Sequence, residues 1–269
     1  MLAILAAAAL LAIDIDVMTF NIRYGTASDG ENAWPQRRSQ VMDMLREEAP
    51  QVLGLQEALA FQIDEILAAF PHYAAVGLGR DDGLRGGEHS SILFDSRRFT
   101  VGASGTFWLS DTPTVPGSTS WGNRITRICT WARLIDRQGR GLWIYNCHLD
   151  HESQPSREKS VALILERLSS GEPKEPAILM GDFNAGEDNA AVAQVRAAGL
   201  IDSYRKLHPE DRDVATFTGF RFGAITGPKI DHIFCTSAFG VLRAAIVRTS
   251  REGRYPSDHF PVSARLRLL

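Results

Sequence analysis

Leu142-Trp143-Ile144-Tyr145-Asn146-Cys147-His148-Leu149-Asp150 alternates two kinds of residue. In an extended chain Trp143, Tyr145, Cys147 and Leu149 share one face, and Ile144, Asn146, His148 and Asp150 share the other. That second face starts apolar and turns polar where a buried strand would simply stop. Taken alone, a solvent-facing edge strand accounts for it. Ala177-Ile178-Leu179-Met180-Gly181-Asp182-Phe183-Asn184 repeats the arrangement, with Ile178, Met180, Asp182 and Asn184 on one face. Gly181 lets another group approach closely. A plain Gly-Asp-Asn turn is the structural alternative.

Short apolar, β-branched runs of the same kind recur at residues 13–22, 52–56, 91–94, 125–135, 230–235 and 260–268, each bounded by turn formers or charge, and they read as strands. Helical spacing falls between some of them. Val41, Met44, Leu45 and Glu48 follow Pro35, a residue suited to a first helical turn. Phe61, Ile66, Leu67 and Phe70 make a second stripe ended by Pro71; Val161, Ile164, Leu165 and Leu168 a third ended near Gly171; Val192, Val195 and Ala198 a fourth, with Gly199 as C-cap. Strands outnumber helices by about two to one, and helices come as single insertions. The pattern predicts a layered α/β or α+β domain with much antiparallel sheet, not a doubly wound parallel one. No phosphate-cradling glycine loop is present.

The chain has 269 residues, 44% hydrophobic and 23% charged, the balance of an ordinary globular protein. No linker, repeat or low-complexity tract divides it, so residues 13–269 are expected to form one domain. Lysine plus arginine is 29 and aspartate plus glutamate is 32, giving a net charge of −3. That charge provides no general pull toward long nucleic acids or anionic membranes. Cys129, Cys147 and Cys235 have no metal-ligand spacing, make no disulfide framework, and read as buried thiols.

Residues 1–12 are almost entirely Leu, Ala and Ile. As a helix they would span about 18 Å against the ~30 Å hydrocarbon core of a bilayer, too short to anchor. The length suits the apolar region of a signal peptide, although no Lys or Arg precedes it and Ala7, Ala9 and Ala12 meet the cleavage pattern only loosely. With a signal peptide the protein is expected to be periplasmic or secreted; with a mere apolar lead-in, cytoplasmic. No other stretch is long and apolar enough for stable membrane insertion.

Several runs end in chemistry-bearing residues: Asn21 after the first, Glu57 after the second, Asp231 inside Ile230-Asp231-His232-Ile233-Phe234, and Ser257-Asp258-His259 before the last. Glu57, Asp182, Asp231 and Asp258 are then carboxylates, His148 and His259 imidazoles, Asn21 and Asn184 amides. Gathering buried carboxylates in one cleft is costly unless a cation or protons offset their repulsion. An oxygen-rich set favours Mg²⁺, or Mn²⁺, over zinc, and such an ion polarises a substrate oxygen.

The ordered set Thr19-Phe20-Asn21-Ile22-Arg23, Gln56-Glu57, Asn146-Cys147-His148-Leu149-Asp150, Gly181-Asp182-Phe183-Asn184-Ala185, Ile230-Asp231-His232-Ile233-Phe234 and Ser257-Asp258-His259 resembles the endonuclease/exonuclease/phosphatase superfamily and spans nearly the whole chain. The resemblance implies a four-layer αββα sandwich, two packed mixed sheets flanked by helices, with the site at one end. It implies Glu57 as principal Mg²⁺ ligand with Asn21 beside it and Asp258 as a further metal-site carboxylate. Asp182 resembles the carboxylate that orients and deprotonates the attacking water, and Asn184 the amide that holds that water or a phosphate oxygen. His148 and His259 resemble the imidazoles that grip the phosphate, with Asp231 orienting His259. Glu88, in Gly87-Glu88-His89-Ser90-Ser91, is expected to do the same for His148.

Asn32-Ala33-Trp34-Pro35-Gln36-Arg37-Arg38, Thr106-Phe107-Trp108-Leu109-Ser110 and Thr216-Phe217-Thr218-Gly219-Phe220 resemble a bacterial branch similar to the deadenylase- and nocturnin-like group. Trp34, Arg37, Trp121, Arg124 and Arg127 are expected as an arginine–aromatic rim for a phosphate and a stacked ring. The structural alternative makes the tryptophans core and the arginines solvated. The resulting expectation is a monomeric, metal-dependent phosphoesterase that hydrolyses phosphodiesters, as a nuclease or a small-molecule phosphodiesterase. Its substrate is a phosphate ester, with nucleic acids and nucleotides among the candidates, and water attacks phosphorus with the metal's help. The alternatives are a phosphomonoesterase using the same site and a catalytically inactive phosphate-ligand-binding protein; the last would need a missing motif residue, and none is missing.

Overall fold

Two βαβ crossovers organise the chain. In the computed structural model, which describes residues 13–172 and 174–269, the first runs β1 (Ile13–Asn21), α1 (Trp34–Glu48), β2 (Val52–Gln56). It is followed by α2 (Ala60–Ala69), β3 (Tyr73–Val76), β4 (Ile92–Asp95), β5 (Phe99–Trp108) and β6 (Ile128–Asp136). The second runs β7 (Gly141–His148), α3 (Gln154–Ser170), β8 (Ala177–Asp182). Then come α4 (Ala190–Ala197), β9 (Ile201–Asp202), α5 (Ser203–Leu207), β10 (Asp231–Cys235), β11 (Phe239–Ile246) and β12 (Val262–Leu268).

The strands form two six-stranded sheets, ordered β11-β12-β1-β2-β4-β3 and β5-β6-β7-β8-β10-β9. Each holds one parallel pair, β1 with β2 and β7 with β8, and antiparallel neighbours elsewhere. The sheets pack face to face through Ile15, Val17, Val52, Ile144, Ile178, Met180, Ile233 and Leu266. The outer face of the first sheet, with Met18, Phe20, Leu53 and Leu55, is covered by Val41, Met44 and Leu45 of α1 and Ile63 and Ile66 of α2. The outer face of the second, with Tyr145, Cys147, Leu179 and Phe234, is covered by Val161 and Ile164 of α3 and Val192 and Val195 of α4. The result is the expected four layers, two mixed sheets flanked by helices. Strands buried on both faces read as unbroken apolar runs, as β2 and β8 do.

Local signals set the helix ends. Pro35 occupies the first turn of α1, and the Ser153 hydroxyl caps α3 by accepting from the Ser156 amide at 3.3 Å. Departures from the sequence reading lie at the edges. β5 carries Gly102 and Gly105 and exposes most of its middle, so it shows no alternation to read; β11, at the edge of the other sheet, exposes Leu242 and Arg243. β3, β9 and the single turn of α5 are too short to impose a period. The run expected from residue 125 becomes strand only at Ile128. Phe61 is exposed, so it is not on the packed stripe of α2. Residues 1–12, on which the compartment expectation rests, lie outside the described residues. Among the described residues no helix is long and apolar enough to cross a membrane.

Candidate active site

The face that packs the two sheets together is apolar along most of its length and polar at one end. Stepping by twos along β1, Ile15 and Val17 lead to Thr19 and Asn21; along β7, Ile144 leads to Asn146 and His148; along β8, Ile178 and Met180 lead to Asp182. β1, β2, β7 and β8 all finish at this end, and antiparallel β10 starts there, pairing Asp231 with Asp182. Carboxyl ends of parallel strands are where open α/β sheets place ligands. Not every polar residue on this face enters the cleft. The Asn146 amide donates to the carbonyls of Leu55 and Ser91, both at 2.9 Å, and its oxygen accepts from Gln56 Nε2 at 2.6 Å, so it ties one sheet to the other.

Beyond the strand ends the backbone turns sharply. Seven described non-glycine residues have positive φ, and four of them, Arg23, Glu57, Asn184 and Phe220, line one cleft of about 530 Å³. Left-handed backbone at non-glycine positions is strained, and its concentration here marks a site the fold pays to shape. Gly181 has φ +149°, and a Cβ there would fall onto the Cys147 carbonyl oxygen; glycine lets β7 and β8 close up beneath Asp182.

Asp182 is the meeting point. Its Oδ2 accepts from Asn21 Nδ2 at 3.0 Å and lies 3.5 Å from His148 Nε2 and 3.7 Å from His259 Nε2. Its Oδ1 accepts from the Asn184 amide nitrogen at 2.9 Å, while the Asn184 side chain donates to the Leu149 carbonyl at 3.0 Å. Asn21 Nδ2 also donates to Glu57 Oε1 at 3.0 Å, so in this structure the amide joins two carboxylates as a donor. His259 Nδ1 lies 2.9 Å from Asp231 Oδ2, and among the described residues the buried Asp231 Oδ1 has no partner. The Ser257 hydroxyl donates to the Asn21 carbonyl at 2.7 Å and fixes the segment carrying Asp258 and His259 against the end of β1.

Burial pushes the Asp182 carboxyl up to about 7, with the Asp231 charge adding to the effect. Burial also raises Asp258, and Glu57 contributes. Burial alone would lower His259, but Asp231 and then Asp182 carry it well above the ordinary imidazole range. Burial, then Arg127 and Arg80, hold His148 well below it. The two imidazoles are therefore driven apart, one toward the cation and one toward the neutral ring.

The donor set fits a divalent cation. Glu57 and Asp258 both turn toward the Arg23 guanidinium, at 3.8 and 3.9 Å, so a positive group already stands between them, and their ligating atoms are all oxygen. Asp182, Asp231 and His259 also bring one ligand-type atom each within 4.8 Å of one another, although His259 Nδ1 is engaged by Asp231.

The structure thus brings together Asn21, Glu57, His148, Asp182, Asn184, Asp231, Asp258 and His259, and it corrects several other expectations. Glu88 does not partner His148: its carboxylate is held by both terminal nitrogens of Arg80, at 2.6 and 2.9 Å. Trp34 is buried under α2 with its indole donating to Glu65 at 2.8 Å. Arg37 is 3% exposed and spends its guanidinium on the carbonyls of Ile22, Arg23, Asn32 and Pro256. Trp121 donates to Asp111, and exposed Arg124 pairs with Glu152; neither lines the cleft. Of the expected rim only Arg127 lines it. Sequence reasoning did not single out Arg23, Arg80 or Phe217 as site residues. Arg23 closes the quoted Asn21 motif, and Phe217, also within a quoted motif, sets its ring 5.1 Å from that of His259.

Residues 18–259 match the model of the Endonuclease/Exonuclease/phosphatase family. A solved endonuclease/exonuclease/phosphatase family protein from Bacteroides thetaiotaomicron is 32% identical, with 96% of this chain and 99% of that one covered and a TM-score of 0.89. A mannosyl-6-phosphatase from Bacteroides thetaiotaomicron VPI-5482 is 34% identical, with 94% and 99% covered and a TM-score of 0.86. An uncharacterised protein, L388, of Acanthamoeba polyphaga mimivirus is 26% identical over 163 residues, 57% of this chain and 60% of that protein's length.

Proposed function

The chain belongs to the endonuclease/exonuclease/phosphatase family, whose members are hydrolases acting on phosphoester bonds, and from that membership we propose that it hydrolyses phosphomonoesters of small molecules with a divalent cation. The observation that carries the reading is the convergence on Asp182 Oδ2 of the Asn21 amide and two imidazole Nε2 atoms. Hydrolysis of an anionic ester needs donors that hold the phosphoryl oxygens and an acceptor for the proton of the attacking water. In this reading Asp182 takes that proton and Asn184 positions the water. His148 and His259 hold phosphoryl oxygens, and Asp231 keeps His259 in place. The new bond is water oxygen to phosphorus; the bond broken joins phosphorus to the ester oxygen, which takes a proton from the His259 imidazolium and leaves as the alcohol, while the proton of the attacking water stays on Asp182. Glu57 and Asp258, with Asn21 beside them, would hold Mg²⁺ or Mn²⁺, which neutralises charge on the phosphoryl oxygens when bound.

Two observations favour a monoester over the phosphodiester placed first from sequence. Of the aromatic–arginine rim expected for a stacked base, Trp34 and Arg37 are interior and Trp121 and Arg124 lie elsewhere, which leaves Arg127; the aromatic rings that do line the cleft are those of Tyr24, Phe217 and Phe220. A solved protein similar over nearly the full length of both chains is a mannosyl-6-phosphatase, and a sugar 6-phosphate is a phosphomonoester. The test is to incubate the full chain with p-nitrophenyl phosphate, bis-p-nitrophenyl phosphate and single-stranded DNA, with Mg²⁺ and with EDTA. Monoester hydrolysis that EDTA abolishes and Mg²⁺ or Mn²⁺ restores is expected. Diester or DNA cleavage without monoester turnover overturns the substrate class, and silence on all three overturns the reaction.

A further inference from the structure

We infer that Arg80, Glu88 and Arg127 form the recognition site for the alcohol half of the substrate, and that this alcohol is polyhydroxylated, a sugar or similar polyol. The inference rests on the phosphoester reading above and names the class of molecule carrying the ester.

Strand order lays out the mouth of the cleft as a row. Asp231 opens β10 and His259 precedes β12 at one end; the central strands β1, β2, β7 and β8 supply Asn21, Glu57, His148 and Asp182. One strand further along, β4 lies in the first sheet and β6 in the second. Glu88 precedes β4 and Arg127 precedes β6, so both stand just past His148, and with Arg80 they line the same cleft. Arg80 grips Glu88 through two hydrogen bonds. Arg127 is 4% exposed; its Nη2 is 2.9 Å from His151 Nδ1 and its Nε 3.6 Å from Asp150 Oδ2. Among the described residues, nothing accepts a hydrogen bond from that Nε. That Nε faces inward toward Asp150, and Arg127 lines the cleft with the rest of its side chain.

Charge decides what this corner holds. Two guanidinium groups are balanced by the carboxylates of Glu88 and Asp150, so no net charge is left to attract a second phosphate. What remains is a dense set of N–H donors next to carboxylate acceptors. A hydroxyl both donates and accepts, and neighbouring hydroxyls on a ring bridge such a pair. An apolar alcohol would take water from those polar groups and offer them no hydrogen bond in return, which makes the corner a rejecting device as well as a binding one. The aromatic side chains that suit a nucleobase, Phe217 and Phe220, also line the cleft, and Phe217 lies at the opposite end of the row, against His259.

The experiment compares mannose 6-phosphate and glucose 6-phosphate with p-nitrophenyl phosphate, whose leaving group has no further hydroxyl, on the full chain with Mg²⁺. The readout is the ratio of kcat/KM for sugar ester to aryl ester. Glu88→Gln and Arg127→Lys are each expected to lower that ratio about tenfold or more, mainly through KM for the sugar ester. Arg80→Gln supplies a third variant if either of these fails to fold by circular dichroism. Equal loss on both esters assigns these residues to the phosphoryl centre and overturns the inference. So does a ratio that falls in Phe217→Ala but in none of the three. A wild-type protein that turns over the aryl ester but neither sugar ester overturns it while the proposed reaction stands; silence on all esters overturns both.

Discussion

His259 and Asp231 meet at 2.9 Å, Nδ1 to Oδ2, although one residue leads into the first sheet and the other opens a strand of the second. The contact fixes which ring nitrogen faces the cleft and pins the layers together at their reactive end. It makes Asp231, ahead of Asp182, the main pull on His259 toward the cation. Asp231→Asn preserves shape and removes charge. A fall in kcat of about 10²-fold or more is expected, with a thermal midpoint close to wild type. Steady-state kinetics beside a melting curve check it; an Asn variant with near-wild-type turnover would show that the pairing serves only the fold.

Arg37 joins four backbone carbonyls from three stretches of chain: Ile22 and Arg23, Asn32, and Pro256. The first and last of those stretches flank Asn21 and Asp258. Arg37→Met is expected to strand the carbonyls and cost about 3 kcal/mol of stability. Arg37→Lys should rescue little, since an ammonium cannot reproduce the planar fork. Urea denaturation measures both; a midpoint unchanged in the Met variant contradicts the structural role.

Gly181→Ala is expected to be costly at a place where little volume is added. The position combines φ +149° with a Cβ that would strike the Cys147 carbonyl. Strain and displacement of the adjoining Asp182 should remove most activity and about 2–4 kcal/mol of stability. A fully stable, active Ala variant would mean that β7 and β8 separate at no cost.

A buried polar network under the Asp182 turn contributes to the acid response. Lys229 Nζ, fully buried, lies 2.7 Å from Asp202 Oδ2 and 2.7 Å from His232 Nδ1, and His232 Nε2 is 3.0 Å from the Ala185 carbonyl. Burial alone would raise Asp202, but the His232 hydrogen bond and the Lys229 charge hold it far below the carboxylate range; burial, then Lys229, keep His232 low. Both groups are thus less protonated folded than unfolded. Their contribution to stability is complete above an ordinary imidazole pKa of about 6.5. It declines as pH falls, first as unfolded His232 takes a proton and then below about pH 4 as unfolded Asp202 does. Urea midpoints between pH 8 and pH 3 should drop more steeply for wild type than for Asp202→Asn. Parallel curves would remove the network from the acid response.

The central strands and the reactive residues at their ends were legible because both have strong local signatures. β1, β2, β7 and β8 are buried on one or both faces, so their composition is apolar, and Asn21, Glu57, His148 and Asp182 break that composition where it ought to continue. The edge strands β5 and β11 were not, since exposure on one side removes the pattern. The rim failed for a different reason. An arginine in sequence looks the same whether it faces solvent or, like Arg37, faces carbonyls that tertiary folding delivers from residues 22 and 256. Glu88 was misassigned because its partner Arg80 is supplied by the intervening loop turning back on itself, which no periodicity announces.

The division of the reacting groups between the two sheets has a mechanical corollary. Asn21, Glu57, Asp258 and His259 travel with one layer, His148, Asp182, Asn184 and Asp231 with the other. A sub-ångström shear between the layers would pull donors and acceptors out of reach without breaking a strand. Neither crossover unit is a working half-enzyme, and turnover becomes a gauge of interlayer registry. Remote lesions in the greasy interior, at Ile144 or Ile233, would then masquerade as damage to the chemistry.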